Sequence, residues 1–244
     1  VLASELTGDP HALDVGRTLA RLVTHAIADA AGEPPPSDAE RTRALWELAG
    51  VVPDPLSSTV LALALRAGDD HPLAGHLDAH AAAGEAVSLT LAQLRRWPIT
   101  AMAAGDRVFV VENPTILAAA MRRGWRGPTL VCSSGHPTLA VVTLLRQLMA
   151  GGCVCFQHAD FDPAGITITR WLASRAVTTP WHMAAHDYLT ALAARSAGPT
   201  IAGPVPDTPW DRELAISMSD HRRAVYEEHL AETLLDQITR RAPP

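Results

Sequence analysis

Apolar positions recur at helical spacing in the first part of the chain and contract into short continuous runs in the second. Leu19, Leu22, Val23 and Ile27 predict a helix within residues 11–31, stopped by Gly32 and the prolines at 34–36. A second helix runs to Leu48, with Ser37 or Asp38 as its cap. Residues 58–65 are apolar over about a strand's length, 71–83 read as a helix ending near Gly84, 87–89 as a short strand and 90–97 as a helix. From residue 107 the pattern changes to strand runs at 107–111, 129–132, 153–156 and 181–183, separated by helices at 114–123, 137–149 and 164–175. Short buried strands alternating with helices predict an α/β fold, a mostly parallel four-stranded sheet with flanking helices. Residues 1–100 are expected as a smaller α-rich, mixed N-terminal region, and residues 101–244 as the sheet domain with a C-terminal helical extension. In that extension 198–209 is Gly/Pro-rich and read as loop, and 211–241 as amphipathic helix.

Composition adds little until it is resolved along the chain. With 48% apolar and 19% charged residues, this is a globular sequence rather than a disordered one. Apolar runs such as 139–145 are too short to cross a bilayer, and no basic-then-apolar leader is visible, so no membrane association is expected. Three cysteines do not make a disulfide framework, which points to a cytoplasmic setting. The chain opens on Val1 rather than Met, and residues 1–100 are expected to belong to a larger upstream domain. The net charge of −6 argues against nucleic acid until its distribution is considered. Every basic residue is Arg, and residues 95–146 carry 7 Arg against 2 acids, whereas the segments on either side are acidic. A basic island in an acidic chain is a local field, and the Arg fork suits phosphate oxygens. Arg122, Arg123 and Arg126 are its candidate DNA contacts.

Two predicted strands end in acids. The first closes on Glu112, and the third leads into Asp160-Phe161-Asp162-Pro163. In a parallel sheet ligands bind beyond the carboxyl ends of the strands. Asp160 and Asp162, two apart in an extended segment, point the same way. If the first and third strands are neighbours, Glu112 joins them, and three converging carboxylates call for a cation; oxygen donors suit Mg²⁺ or Mn²⁺. Taken singly, a strand-end Glu is usually solvated and an Asp-x-Asp before a helix is usually turn and cap chemistry. Zinc finds no support: His76/His80 and His182/His186 are spaced four apart, but no third ligand pattern accompanies them. Cys153, Cys155 and Trp171 read as core.

Glu112 at a strand end, the turn Ser134-Gly135-His136-Pro137, and Asp160-Phe161-Asp162-Pro163-Ala164-Gly165-Ile166 together resemble a Toprim domain of the topoisomerase VI A subunit type. The wider chain, with Leu6-Thr7-Gly8-Asp9-Pro10-His11-Ala12-Leu13-Asp14 upstream and Val110–Pro114 around the first acid, resembles the JetD nuclease subunits of Wadjet plasmid-defence systems. The resemblance implies that Glu112 is a general acid/base and metal ligand and that Asp160 and Asp162 hold Mg²⁺ (or Mn²⁺). It implies that Gly135 and Pro137 shape the loop beside the metal, that Gly165 permits close backbone approach, and that His136 contacts DNA. It further implies a metal-dependent endonuclease acting on double-stranded plasmid DNA, as a homodimer recruited by an SMC-kleisin-type motor complex. The topoisomerase branch attacks with a Tyr upstream of the acids, whereas Tyr188 and Tyr226 both follow them, which favours water as nucleophile. The rival readings are a non-catalytic DNA-binding Toprim scaffold and a topoisomerase-like or primase subunit.

Overall fold

A computed structural model describes residues 2–14, 16–36, 39–51, 55–100, 105–175, 178–194 and 197–240. The chain divides into two compact units, residues 1–54 and 55–244. The first holds α1 (Leu2–Thr7), α2 (Thr18–Ala31) and α3 (Ala39–Leu48). The helix expected from residue 11 begins only at Thr18, because Pro10 and Gly16, the latter at φ 90°, hold the preceding segment in turns. Its end is as expected: Gly32 is left-handed, and the N–H groups of Gly32 and Glu33 return to the carbonyls of Asp29 and Ala28. The caps expected at Ser37 or Asp38 lie outside the described residues.

The second unit contains β1 (Thr59–Leu63), α4 (Ala74–Ala83), β2 (Val87–Thr90), α5 (Leu91–Arg96), β3 (Arg107–Val111), α6 (Pro114–Arg122), β4 (Thr129–Cys132) and α7 (Leu139–Ala150). It continues through β5 (Val154–Gln157), α8 (Pro163–Ser174), β6 (Thr179–Pro180), α9 (Ala185–Ala193), β7 (Ala197–Thr200), α10 (Arg212–His221), β8 (Arg223–Val225) and α11 (Glu227–Arg240). The fold is mixed α/β. The four expected parallel strands are present in the order β4-β3-β5-β6, and β1 and β2 extend them on the β4 side by antiparallel pairing into a six-stranded sheet. The division expected between residues 100 and 101 is therefore not where the compact units part, since strands at 59–63 and 87–90 belong to the same sheet.

Connections leave β3 and β5 in opposite directions, to β4 on one side and β6 on the other. Right-handed crossovers then send the following helices to opposite faces and open a crevice at the carboxyl ends of these two strands. Phe109 and Trp181 meet edge to face within a core closed by Ile116 and Leu117 of α6 and Leu234, Leu235 and Ile238 of α11. Leu144, Leu145 and Leu148 of α7 are buried where that helix packs against β1, β5 and α5.

Three local expectations are corrected. The fourth parallel strand closes earlier, at Pro180; Trp181 still donates to the Gln157 carbonyl at 2.7 Å, but His182 at φ 51° turns the chain away. The loop expected over 198–209 begins with strand β7, which pairs antiparallel with β8 despite Gly198 and Pro199. The helix expected over 211–241 is cut in two, because Arg222 adopts φ 53° and the chain extends through β8 before α11 begins. That interruption proves decisive for the site.

Candidate functional site

Glu112 directly follows β3, and Asp160 and Asp162 follow β5. The two strands are parallel neighbours, Val110 facing Gln157. The structure thus brings the three predicted acids to one sheet edge, at the crevice the topology opens. Glu112 Oε2 accepts from the backbone N–H of Asp160 at 3.2 Å. Asp162 is the N-cap of α8, its Oδ1 accepting from Gly165 N at 2.8 Å, with Pro163 in the first turn. Phe161 between them is fully buried, so alternation along the extended chain turns both aspartates to the opposite side.

A fourth carboxylate completes the group. Val225 exchanges both backbone hydrogen bonds with Phe161, at 2.8 and 3.2 Å, and this short bridge carries the first residue of α11, Glu227, to the strand ends. Glu227 is wholly buried. Its Oε2 accepts from the N–H groups of Glu112 at 2.9 Å and Asn113 at 2.7 Å, and its Oε1 lies 3.0 Å from His158 Nδ1. Its own N–H donates to Asp160 Oδ1 at 2.6 Å. Sequence reading missed Glu227 because Tyr226-Glu227-Glu228 looked like the polar stripe of a continuous helix; the signal lay in Arg223-Ala224-Val225, too short to stand out as a strand.

The charges are poorly matched by cations. Burial, then the negative charges of Asp160, Glu227 and Asp162, push the Glu112 carboxyl up to about 8, against an opposing hydrogen bond from Asp160 N–H. Burial and the Asp162 charge also raise Asp160. Burial pushes the Glu227 carboxyl well above its ordinary value and lowers buried His158 to about 4. Among the described residues no three His, Cys, Asp or Glu side chains form a metal-binding group. Glu112, Asp160 and Asp162 each turn one oxygen to a backbone N–H. The donor set still suits Mg²⁺ or Mn²⁺, which are commonly held by one or two carboxylates with water and substrate phosphate completing the shell. Clustered carboxylates with raised proton affinity are what such a cation would relieve.

The loop after β4 is tied to the same edge. Gly135 N donates to the Glu112 carbonyl at 3.3 Å, and Ser134 and Gly135 are both left-handed, at φ 54° and 84°. Pro137 is buried behind them. The half-buried His136 ring lies 5.4 Å from that of Trp171, and the Arg175 guanidinium lies 4.0 Å from the Trp171 ring centre. Gly165 is required sterically: a Cβ there would stand 2.1 Å from the Asp160 carbonyl oxygen. Cys153 and Cys155 are buried, as expected of core residues. Tyr188 is fully buried and donates its hydroxyl to the Arg223 carbonyl at 2.7 Å, a structural role.

With this geometry in hand, the family profile described as "Protein of unknown function C-terminus (DUF2399)" matches residues 87–238, more than half of the chain. The chain belongs to the DUF2399 family. A second profile, "Protein of unknown function N-terminus (DUF3323)", matches residues 1–67. No curated protein matches the chain. All four carboxylates, the Ser134–Pro137 turn and Gly165 fall inside the DUF2399 region. No helix among the described residues of this DUF2399 protein is long and apolar enough to cross a membrane.

The basic island is not brought to the acids. Asn113 caps the start of α6 beside Glu112, whereas Arg122 ends that helix and Arg123 and Arg126 follow it. In a parallel βα unit the helix runs back along the sheet, so these arginines sit at the opposite edge, about 13 Å of helix away. Arg123 forms ion pairs with Glu232 and Asp236 of α11, and Arg126 donates to the carbonyls of Trp125 and Ala82. Clustering in sequence therefore reflects, in part, pairing with α11 and with backbone. Arg123→Ala should lower stability by no more than about 1 kcal/mol, as for other exposed pairs, which thermal unfolding measures directly.

Proposed function

We propose that this chain is a metal-dependent DNA endonuclease subunit of the Toprim type, cutting double-stranded DNA by hydrolysis. The observation that carries the reading is the meeting of Glu112, Asp160 and Asp162 at the carboxyl ends of adjacent parallel strands, in the crevice of the topological switch. The DUF2399 and DUF3323 families are associated with JetD-type proteins, which supports plasmid DNA as substrate, a homodimer as working form and an SMC-kleisin-type motor complex as partner.

Asp160 and Asp162 would hold Mg²⁺ or Mn²⁺, with Glu112 at its margin. The bound cation would stabilise charge on the phosphoryl oxygens and make water a nucleophile near neutral pH. The chain's own contribution is order and proton transfer. Gly165 N–H and Glu227 N–H each hold one oxygen of an aspartate, which fixes the direction of the other. Glu112, whose carboxyl is pushed up to about 8 by burial and neighbouring acids when no cation is bound, would take or give a proton at Oε1. His136 and the Gly135–Pro137 turn flank the crevice, where a phosphate backbone would lie.

The test is nicking of supercoiled plasmid with Mn²⁺ or Mg²⁺, alone and with the motor complex. Cutting should require the cation and stop with EDTA. Asp162→Asn is the cleanest ligand variant, because Asn also caps helices well and removes only the charge; it should fold normally and lose cation binding together with cutting. Cutting undiminished in EDTA would rule out the metal-dependent mechanism. Arg122→Ala, Arg123→Ala and Arg126→Ala combined should weaken binding of all DNA sequences alike and flatten the salt dependence, with the rate at saturating DNA unchanged. An unaltered salt slope would leave these arginines with structural pairing alone.

A further inference from the structure

We infer that Glu227 is the positioning residue of this site: a buried carboxyl that locks the end of β3 to the end of β5 and makes the start of α11 part of the catalytic unit. The inference rests on the metal-site reading above and goes beyond it, because Glu227 lies 65 residues past Asp162 and outside the Asp-x-Asp pattern.

The geometry is that of a clamp. On one side Oε2 takes two consecutive backbone N–H groups, those of Glu112 and Asn113, and so fixes the turn that aims the Glu112 side chain and starts α6. On the other side Oε1 meets His158, two residues before Asp160, while the Glu227 N–H grips Asp160 Oδ1. The Phe161–Val225 bridge sets the register between them. One residue thus touches the backbone of one acid, the carboxylate of a second and the segment after β5 that bears both aspartates. A fully buried carboxyl is expensive, and a purely structural pin could be made from apolar groups. Here every oxygen is used, and each partner adjoins a proposed cation ligand. Groups that orient ligands in this way commonly control cation affinity without touching the cation.

Gln is the diagnostic substitution. Its carbonyl can accept both N–H groups and its amide nitrogen takes the place of Oε1 beside His158 Nδ1, so it keeps the two bonds to the end of β3 while removing the ionisable oxygen. Ala keeps neither. The experiment measures Mn²⁺ affinity of the full chain by the loss of the free-ion electron paramagnetic resonance signal, with thermal unfolding in parallel. Glu227→Gln should bind Mn²⁺ within about threefold of wild type, and Glu227→Ala, still cooperatively folded, about 10–100-fold more weakly. Equal affinity in a folded Glu227→Ala protein overturns the positioning role. A loss in Glu227→Gln as large as in Ala also overturns it, since the charge would then be acting directly as a ligand. Should Glu227→Ala not fold, His158→Leu serves instead, because it frees Oε1 and leaves both bonds to β3. It should weaken Mn²⁺ binding severalfold, and unchanged affinity counts against the clamp. A wild-type chain that binds no Mn²⁺ is a different failure: it removes the metal reading itself, and the positioning role with it.

Discussion

Glu112→Gln should act in two opposite directions, stopping strand cleavage while stabilising the metal-free fold at alkaline pH. Gln keeps the shape of the side chain and can still accept from Asp160 N–H, but it neither transfers a proton nor carries charge. Loss of general acid–base action is typically worth about 10²–10⁴ in rate, and weaker cation binding would add to it. The stability effect follows from the Glu112 carboxyl, raised from an ordinary 4.5 to about 8 by burial and by Asp160. Between those values the folded protein holds a proton that the unfolded chain has released. Unfolding therefore releases protons, and the stability of the metal-free wild type falls as pH rises through that window. The full shift sets a ceiling of about 5 kcal/mol, and solvent at this half-buried edge keeps the observed change below it. A Gln variant has no such proton to lose, so between pH 5 and 8 in EDTA its melting temperature should drop less than that of wild type. DNA binding without cation should persist. Plasmid nicking at the wild-type rate by Glu112→Gln, in the complete assembly, would make Glu112 a bystander and move catalysis to the two aspartates.

Much of this edge was legible in the sequence because its determinants are local. Val108–Val111 and Val154–Phe156 are short apolar runs with an acid just past the end, and parallel pairing places such ends side by side. The close approach at Gly165 came from the family resemblance; its physical basis is that the helix start doubles back on the strand end three residues after the capping Asp. Glu227 was not readable, because its role depends on a three-residue strand that exists only through pairing with β7 and Phe161. Strands that short are made by their neighbours, not by their own propensity. The place of the arginines in the fold was not readable for the converse reason. Arg122, Arg123 and Arg126 are near Glu112 in sequence, but one helix of α6's length carries the chain from one sheet edge to the other. Proximity along the chain and proximity in the fold part company wherever a helix intervenes, whereas Glu112 and Glu227, 115 positions apart, are joined by a hydrogen bond of 2.9 Å.

Gly165→Ala should damage both the fold and the acidic edge. Gly165 has an ordinary helical backbone, so the cost is not conformational; it is spatial. The added methyl would meet the Asp160 carbonyl oxygen at 2.1 Å and its carbonyl carbon and nitrogen at 2.9 Å, all backbone atoms that no rotamer change can move aside. Relief requires α8 and the 160–162 segment to separate by roughly an ångström, against packing that resists such shifts. Overpacking of this kind costs about 1–3 kcal/mol and sometimes more. The displacement falls on a crowded point: Gly165 N caps to Asp162 Oδ1, Asp160 N to Glu112 Oε2, and Asp160 Oδ1 to Glu227 N. Cation affinity should therefore fall further than stability alone predicts, and adding Mn²⁺ should raise the variant's melting temperature less than it raises that of wild type. Gly151 offers the control. A Cβ there meets the Thr100 carbonyl oxygen at the same 2.1 Å, but that contact lies beyond the end of α7, far from the acids along both strands. Gly151→Ala should lower the melting temperature comparably while leaving the Mn²⁺-induced rise intact. If the two variants lose that rise equally, the loss at Gly165 is one of general stability and says nothing about the acidic edge.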